Sequence, residues 1–170
     1  YYRPEAASGE YSVISKNADN TYSYAVKDGT VYAFNPAGAL TSIEDRNGSV
    51  TALSYTGEDL SSVTDPHGRV IRLSYDSNRR ITDLQGTGSQ TTAFEYDEAG
   101  NLLTVADPLG NFRRYTYDAE GRMLAKTDPA GNTVTYSYDG TGKIISSVDP
   151  SGEKTIAYDT ANNRVTITEP

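Results

Sequence analysis

The sequence predicts an all-β chain built from tandem β-hairpins in an antiparallel sheet. Three observations predict it: a Tyr-Asp pair that returns every 20 or 21 residues, an acidic glycine-bearing turn between successive pairs, and clean alternation ahead of each tyrosine. The pairs are Tyr75-Asp76, Tyr96-Asp97, Tyr117-Asp118, Tyr138-Asp139 and Tyr158-Asp159, with Tyr55-Thr56 and Phe34-Asn35 as degenerate copies upstream. Between them lie Asp65-Pro66-His67-Gly68, Asp107-Pro108-Leu109-Gly110, Asp128-Pro129-Ala130-Gly131 and Asp149-Pro150-Ser151-Gly152. Asp45-Arg46-Asn47-Gly48 fills the same slot without proline. A fixed period of this length marks stacked units that cannot bury their faces alone.

Each unit holds two turns and two strands. In Asp-Pro-x-Gly, aspartate accepts backbone hydrogen bonds, proline presets φ and glycine supplies a positive φ. The second turn follows the Tyr-Asp pair, where Gly100, Gly121 and Gly142 take the left-handed position. Thr56 and Asn35 lack the aspartate, so looser turns are expected there. The intervening segments have ordinary strand length, roughly 6 residues. In Thr133–Tyr138, Val134, Tyr136 and Tyr138 share one face and the Ser and Thr residues the other.

Aligned on the pairs, the units give two columns on one face. One runs Phe34, Tyr55, Tyr75, Tyr96, Tyr117, Tyr138, Tyr158; the other, two residues earlier, runs Tyr32, Leu53, Leu73, Phe94, Tyr115, Tyr136, Ile156. The opposite face carries Ser, Thr, Arg and Glu, with exceptions such as Ala33, Val70 and Phe112. That is the pattern of an antiparallel sheet with one face packed and one wet. The returning segments start at Leu40, Leu60, Ile81, Leu102, Met123, Ile144 and Val165, often with a second apolar residue about three positions on. Leu102-Leu103 and Ile144-Ile145 break alternation, which either a bulge or a strand covered on both faces explains. Gly and Pro recur along the array and disfavour helices. Residues 83–92 lose the proline and shift the turn, as a decayed repeat does. Residues 1–28 are expected to form an irregular capping segment with end strands, and 29–170 an array of about seven repeats.

Composition narrows function. The 170 residues carry a net charge of −8, which lacks the basic footprint needed for phosphate backbones, so no nucleic-acid partner is expected. No apolar run reaches the ~18 residues of a membrane-spanning helix. Hydrophobic residues make up 36%, and the aromatics are 14 Tyr and 3 Phe, which suits half-buried faces more than one deep core. There is no cysteine, hence neither a disulfide nor a thiolate metal site. Starting at Tyr1, the chain reads as a piece of a longer protein.

Candidate chemistry is sparse. Paired carboxylates serve glycoside hydrolysis, but each aspartate here recurs at a turn that already accounts for it. His67, the single histidine, sits in the variable slot of a turn, where a triad or metal site needs it buried beside partners. Turn carboxylates are hard ligands for calcium, yet neither the EF-hand loop nor the calcium-binding nonapeptide occurs. Gly86-Thr87-Gly88 is too short for a phosphate loop. No catalytic, cofactor or metal residue is expected. The tyrosine columns read as a packed face; a solvent-facing row would instead bind a glycan or protein.

Tyr117-Asp118-Ala119-Glu120-Gly121-Arg122-Met123-Leu124, continuing to Asp128-Pro129-Ala130-Gly131-Asn132, resembles the YD repeat, also called the RHS repeat. The resemblance covers about residues 29–168. It implies a curved, spiralling antiparallel sheet, an open or part-closed segment of a hollow shell, as in bacterial Rhs-type polymorphic toxins, insecticidal toxin-complex cocoon proteins, wall-associated proteins and teneurins. It also implies a secreted or surface location and, in the toxins, an enclosed C-terminal toxic domain. The expected role is a non-enzymatic structural module of a larger parent protein, with a surface adhesin as the alternative. The shared residues are the tyrosines and the turn Asp, Pro and Gly, all structural. Cut edges of such an array invite strand pairing with another chain.

Overall fold

The computed structural model describes residues 12–170, and every strand in it pairs antiparallel. The chain divides into two compact units, one ending at Gln90 and the other starting at Thr91. The first holds β1 (Val13–Lys16), β2 (Tyr22–Ala25), β3 (Val31–Phe34), β4 (Leu40–Glu44), β5 (Val50–Thr56), β6 (Asp59–Thr64), β7 (Val70–Tyr75) and β8 (Ile81–Gln85). The second holds β9 (Thr91–Tyr96), β10 (Leu102–Ala106), β11 (Phe112–Tyr117), β12 (Met123–Thr127), β13 (Thr133–Tyr138), β14 (Ile144–Asp149), β15 (Gly152–Asp159) and β16 (Arg164–Thr168). Within each unit, strands pair in chain order. One short 3-10 turn, Thr87–Ser89, is the only helical element among the described residues. No helix there is long and apolar enough to cross a membrane.

Register follows from the sequence pattern. Directly paired residues share a face, and the pairs Tyr32↔Ile43, Leu53↔Val63, Leu73↔Leu84 and Phe94↔Val105 put the second apolar of each return strand beside the aromatic column. The first apolar pairs with the repeat tyrosine or its equivalent, as in Phe34↔Leu40, Tyr75↔Ile81 and Tyr138↔Ile144. Between the two, the register slips by one residue. Thr41, Ser61, Thr82, Leu103, Leu124 and Ile145 are each skipped, so two residues face one. The broken alternation is therefore a bulge. It also explains the three-residue spacing, because the bulge returns the third residue to the aromatic face. Hairpin β15–β16 has no slip, and its apolars Val165 and Ile167 are spaced by two.

No described residue is buried. The aromatic face is half-buried, and its opposite alternates with it: in β13, Val134, Tyr136 and Tyr138 are shielded while Thr133, Thr135 and Ser137 are exposed. Phe112, an apolar exception on the opposite face, is 42% exposed and carries Arg114 over its ring at 5.1 Å. The two faces thus differ in exposure, and none of the described residues is fully shielded.

Ahead of the array, β1 pairs with β2 through Ile14↔Tyr24, and β2 pairs with β3 through Tyr22↔Phe34 and Tyr24↔Tyr32. Rings of Tyr24 and Tyr32 lie 6.0 Å apart, within the range of favourable aromatic pairs. The part of the expected capping segment before residue 12 lies outside the described residues.

Candidate functional site

The repeated feature is a five-residue corner. In Asp128–Asn132, the Gly131 N–H donates to the Asp128 carbonyl at 3.0 Å and the Asp128 N–H to the Asn132 carbonyl at 2.9 Å. The same pair of bonds closes corners beginning at Asn17, Val26, Asn35, Asp45, Asp65, Asp76, Asp97, Asp107, Asp118 and Asp139. Both ends of a hairpin therefore use one device. The fourth residue needs a positive φ, which Gly68, Gly100, Gly110, Gly121, Gly131 and Gly142 supply between 78° and 92°. Arg79 adopts 62° in the same slot, where a side chain is costly.

Asp65, Asp76, Asp97, Asp107, Asp118 and Asp128 spend carboxylate oxygens locally, whereas Asp45 and Asp139 accept through Oδ1. Oδ1 of Asp65 accepts the N–H groups of His67 and Arg69, each at 2.9 Å. Oδ1 of Asp76 takes those of Asn78 and Arg80, and Oδ1 of Asp107 those of Leu109 and Asn111. Oδ2 then accepts from the side chain of the fifth residue: Arg80, Asn101, Asn111, Arg122 or Asn132, at 2.6–2.9 Å. Arg69 does the same at Asp65. These donors hold the carboxyls below their ordinary range. The first cause is the Asn side chain for Asp97, Asp107 and Asp128, the Arg80 amide for Asp76, and the Thr141 hydroxyl for Asp139. At Asp65 and Asp118 burial is the largest single influence and pushes upward, but the amides and arginine outweigh it.

Tyrosine hydroxyls carry the second feature. Tyr55 donates to the Leu40 carbonyl, Tyr75 to Leu60, Tyr138 to Met123 and Tyr158 to Ile144, at 2.7–3.0 Å. Each acceptor lies at or one residue past the start of the previous hairpin's return strand, just before the bulge. Ladder pairing between hairpins stops short of this point: β12 and β13 pair only over Ala125–Thr127 against Thr133–Thr135. The hydroxyl therefore bonds a carbonyl that the ladder leaves open, a task phenylalanine cannot perform. Arg122 lies 5.1 Å from the Tyr138 ring centre while also bonding Asp118, and Lys143 lies 4.9 Å from that of Tyr158. One side chain thus ties its own corner to the next ring. Burial, with Tyr115 and Asp97 nearby, pushes the Tyr117 phenol up.

Three expectations change. Asn35 does not loosen its turn: its amide oxygen accepts from Ala37 and Ala39 at 3.0 and 2.9 Å, as a carboxylate does. The Thr56 turn tightens instead, pairing Thr56 with Asp59 around Gly57 at φ 62°. Asp149-Pro150-Ser151-Gly152 also tightens, pairing Asp149 with Gly152 at φ 137°. Around residues 83–92 the corner keeps its slot, since Gly86 donates to the Gln90 carbonyl at 2.8 Å; only the left-handed residue moves, to Gly88.

The repeat residues do not converge on one point. Asp159 is engaged by Ala161 and Asn162 in its own loop. His67 lies exposed at a turn tip, with its N–H on Asp65. Among the described residues no group of three or more His, Asp or Glu side chains is placed to hold a metal ion. The role of the fifth residue was missed from sequence, although Arg or Asn after the glycine was the visible signal.

The RHS-repeat family model matches residues 83–111, 96–133, 117–154 and 138–170, together just over half of the chain. The chain belongs to the RHS-repeat family. The RHS pattern of corners and bulges continues upstream of residue 83 in the structure, through β3 to β8. No curated protein matches the sequence. Solved structures similar in fold include TcdB2–TccC3, at 16% identity and a TM-score of 0.54 over 84% of this chain and 11% of that one. TcdB2–TccC3 without its hypervariable C-terminal region gives 15% and 0.52, over 90% and 12%. The Tc holotoxin pore of Photorhabdus luminescens gives 15% and 0.50, over 86% and 11%. The chain therefore spans about an eighth or less of the chains it resembles.

Proposed function

We propose that this chain is a non-enzymatic length of wall in a larger exported bacterial protein, whose sheet encapsulates or presents a toxin or effector domain. One observation carries the reading: the polar groups that repeat are consumed by the fold. Corner carboxylates take amides and the fifth residue, and tyrosine hydroxyls take open carbonyls. Repetition without a singled-out carboxylate pair suits a scaffold. The fold similarity to TcdB2–TccC3 and the holotoxin pore supports a place in a toxin-type assembly, secreted or carried at the cell surface.

Limited proteolysis of the full-length parent protein tests this. A non-repeat segment should resist protease while the repeats are folded, and become cleavable when Tyr138→Ala weakens the wall. Equal cleavage in both proteins would remove encapsulation. A second reading, an adhesive surface module for carbohydrate or protein, draws on the half-open aromatic face. Saturable binding on a glycan array, with the parent's other segments fully protease-sensitive, would favour it.

A further inference from the structure

The aromatic face differs between the two units at one row. Next to the corners that join successive hairpins, first-unit pairs on this face are Ile43↔Thr51 and Val63↔Ile71, without charge. The corresponding second-unit pairs are Val105↔Arg113, Lys126↔Val134 and Ser147↔Lys154. Each carries one cation, although the whole chain is at −8. Successive pairs lie two strands apart, about 10 Å, which an extended polypeptide covers in about three residues.

Lys154 shows what such a cation takes. It holds the Glu169 carboxylate at 2.8 Å, and Glu169 follows directly after β16. Arg113 and Lys126 form no ion pair among the described residues. Arg113 touches Asp107 only through its charge at longer range. Between the two cations lies a hollow of about 280 Å³, lined by Tyr115, Asn132 and Val134 as well. Asp128, also on its wall, is occupied by the Asn132 amide and side chain, both at 2.9 Å. An incoming carboxylate thus meets two cations without ion pairs, and the Asp128 carboxylate, beside a half-buried ring.

We infer that the second unit's aromatic face is a docking surface for an extended acidic polypeptide, with a carboxylate side chain seated between Arg113 and Lys126. The inference stands apart from whether the sheet encloses a cargo. Fluorescence anisotropy of labelled poly-L-glutamate against the 170-residue chain tests it. Binding should weaken with added salt and fall about tenfold or more in the Arg113→Gln/Lys126→Gln double variant. Lys126→Arg should retain it, as should Arg72→Gln/Arg114→Gln on the opposite face. Both neutralised side chains are exposed, and an unchanged circular-dichroism melt verifies each fold. Undiminished binding in the double variant, no binding to the native chain, or binding of polygalacturonate but not polyglutamate would each overturn the inference.

Discussion

Asp128-Pro129-Ala130-Gly131 and Asp149-Pro150-Ser151-Gly152 share three residues of four, yet they turn the chain differently. The first is a five-residue corner closed by Asn132; the second is a tight reversal pairing Asp149 with Gly152. What differs chemically is the fifth residue. Asn132 donates through its backbone and its side chain to Asp128. Glu153 has no side-chain donor when ionised, and would set a second negative charge beside Asp149; its carboxylate instead accepts the Ser146 hydroxyl at 2.6 Å. Asp149 keeps one amide, that of Ser151. The Asp-Pro-x-Gly tetrapeptide bends the chain, and the residue after it selects the form of the bend.

The largest test removes a ring from each side of the comparison. Tyr138→Ala should cost about 3 kcal/mol in chemical denaturation, since the ring is half-buried, hydrogen-bonded and covered by Arg122. Tyr158, following the tight corner, is 37% exposed, and Tyr158→Ala should cost nearer 1–2 kcal/mol. Equal losses would mean that neighbouring repeats hold their tyrosines alike whatever the corner.

Next, Asp128→Ala should lower the melting temperature clearly more than Asp149→Ala, because more donors lose their acceptor. The acid limb carries the same information. Asp128 is held below its ordinary value of 3.8, first by the Asn132 side chain, so its contribution is complete above about pH 4 and disappears as pH falls through the lower folded value. Asp128→Asn should flatten the stability loss below pH 4 relative to the native chain. An unchanged slope would show that the other corner aspartates dominate it.

Glu153→Asn is a smaller change that sharpens the point. It should convert the tight reversal towards the five-residue form, adding about 1 kcal/mol and slowing hydrogen exchange of the amide at position 153. Smallest of all, Arg79→Gly relieves a positive φ but loses exposed ion pairs with Glu58 and Asp59. Because salt screens exposed pairs, the variant should exceed the native melting temperature in high salt and approach it in low salt.

These contrasts mark what was legible. Gly100, Gly121 and Gly131 were readable as left-handed residues because few residue types tolerate that geometry. The Tyr and Asp spacings fixed the hairpins, and the columns fixed which face is shielded. The bulge at Leu103 or Ile145 was one of two readings, because two adjacent apolars look the same whether a register slips or both faces are covered. Tyrosine hydroxyl partners were not legible at all: the acceptor is a main-chain carbonyl, which every residue type carries. Thr56 misled because a missing aspartate removes one corner form without naming its replacement.

The hydroxyl bonds also bear on how such proteins change length. Each spans 14 or 15 residues and reaches only the preceding hairpin, as from Tyr138 back to Met123 or from Tyr75 back to Leu60. A gene that gains or loses one whole 21-residue cassette therefore hands every remaining tyrosine an equivalent neighbour, with no distant part needing revision. Insertions out of phase lack that tolerance, so genetic drift in these arrays should proceed by whole cassettes.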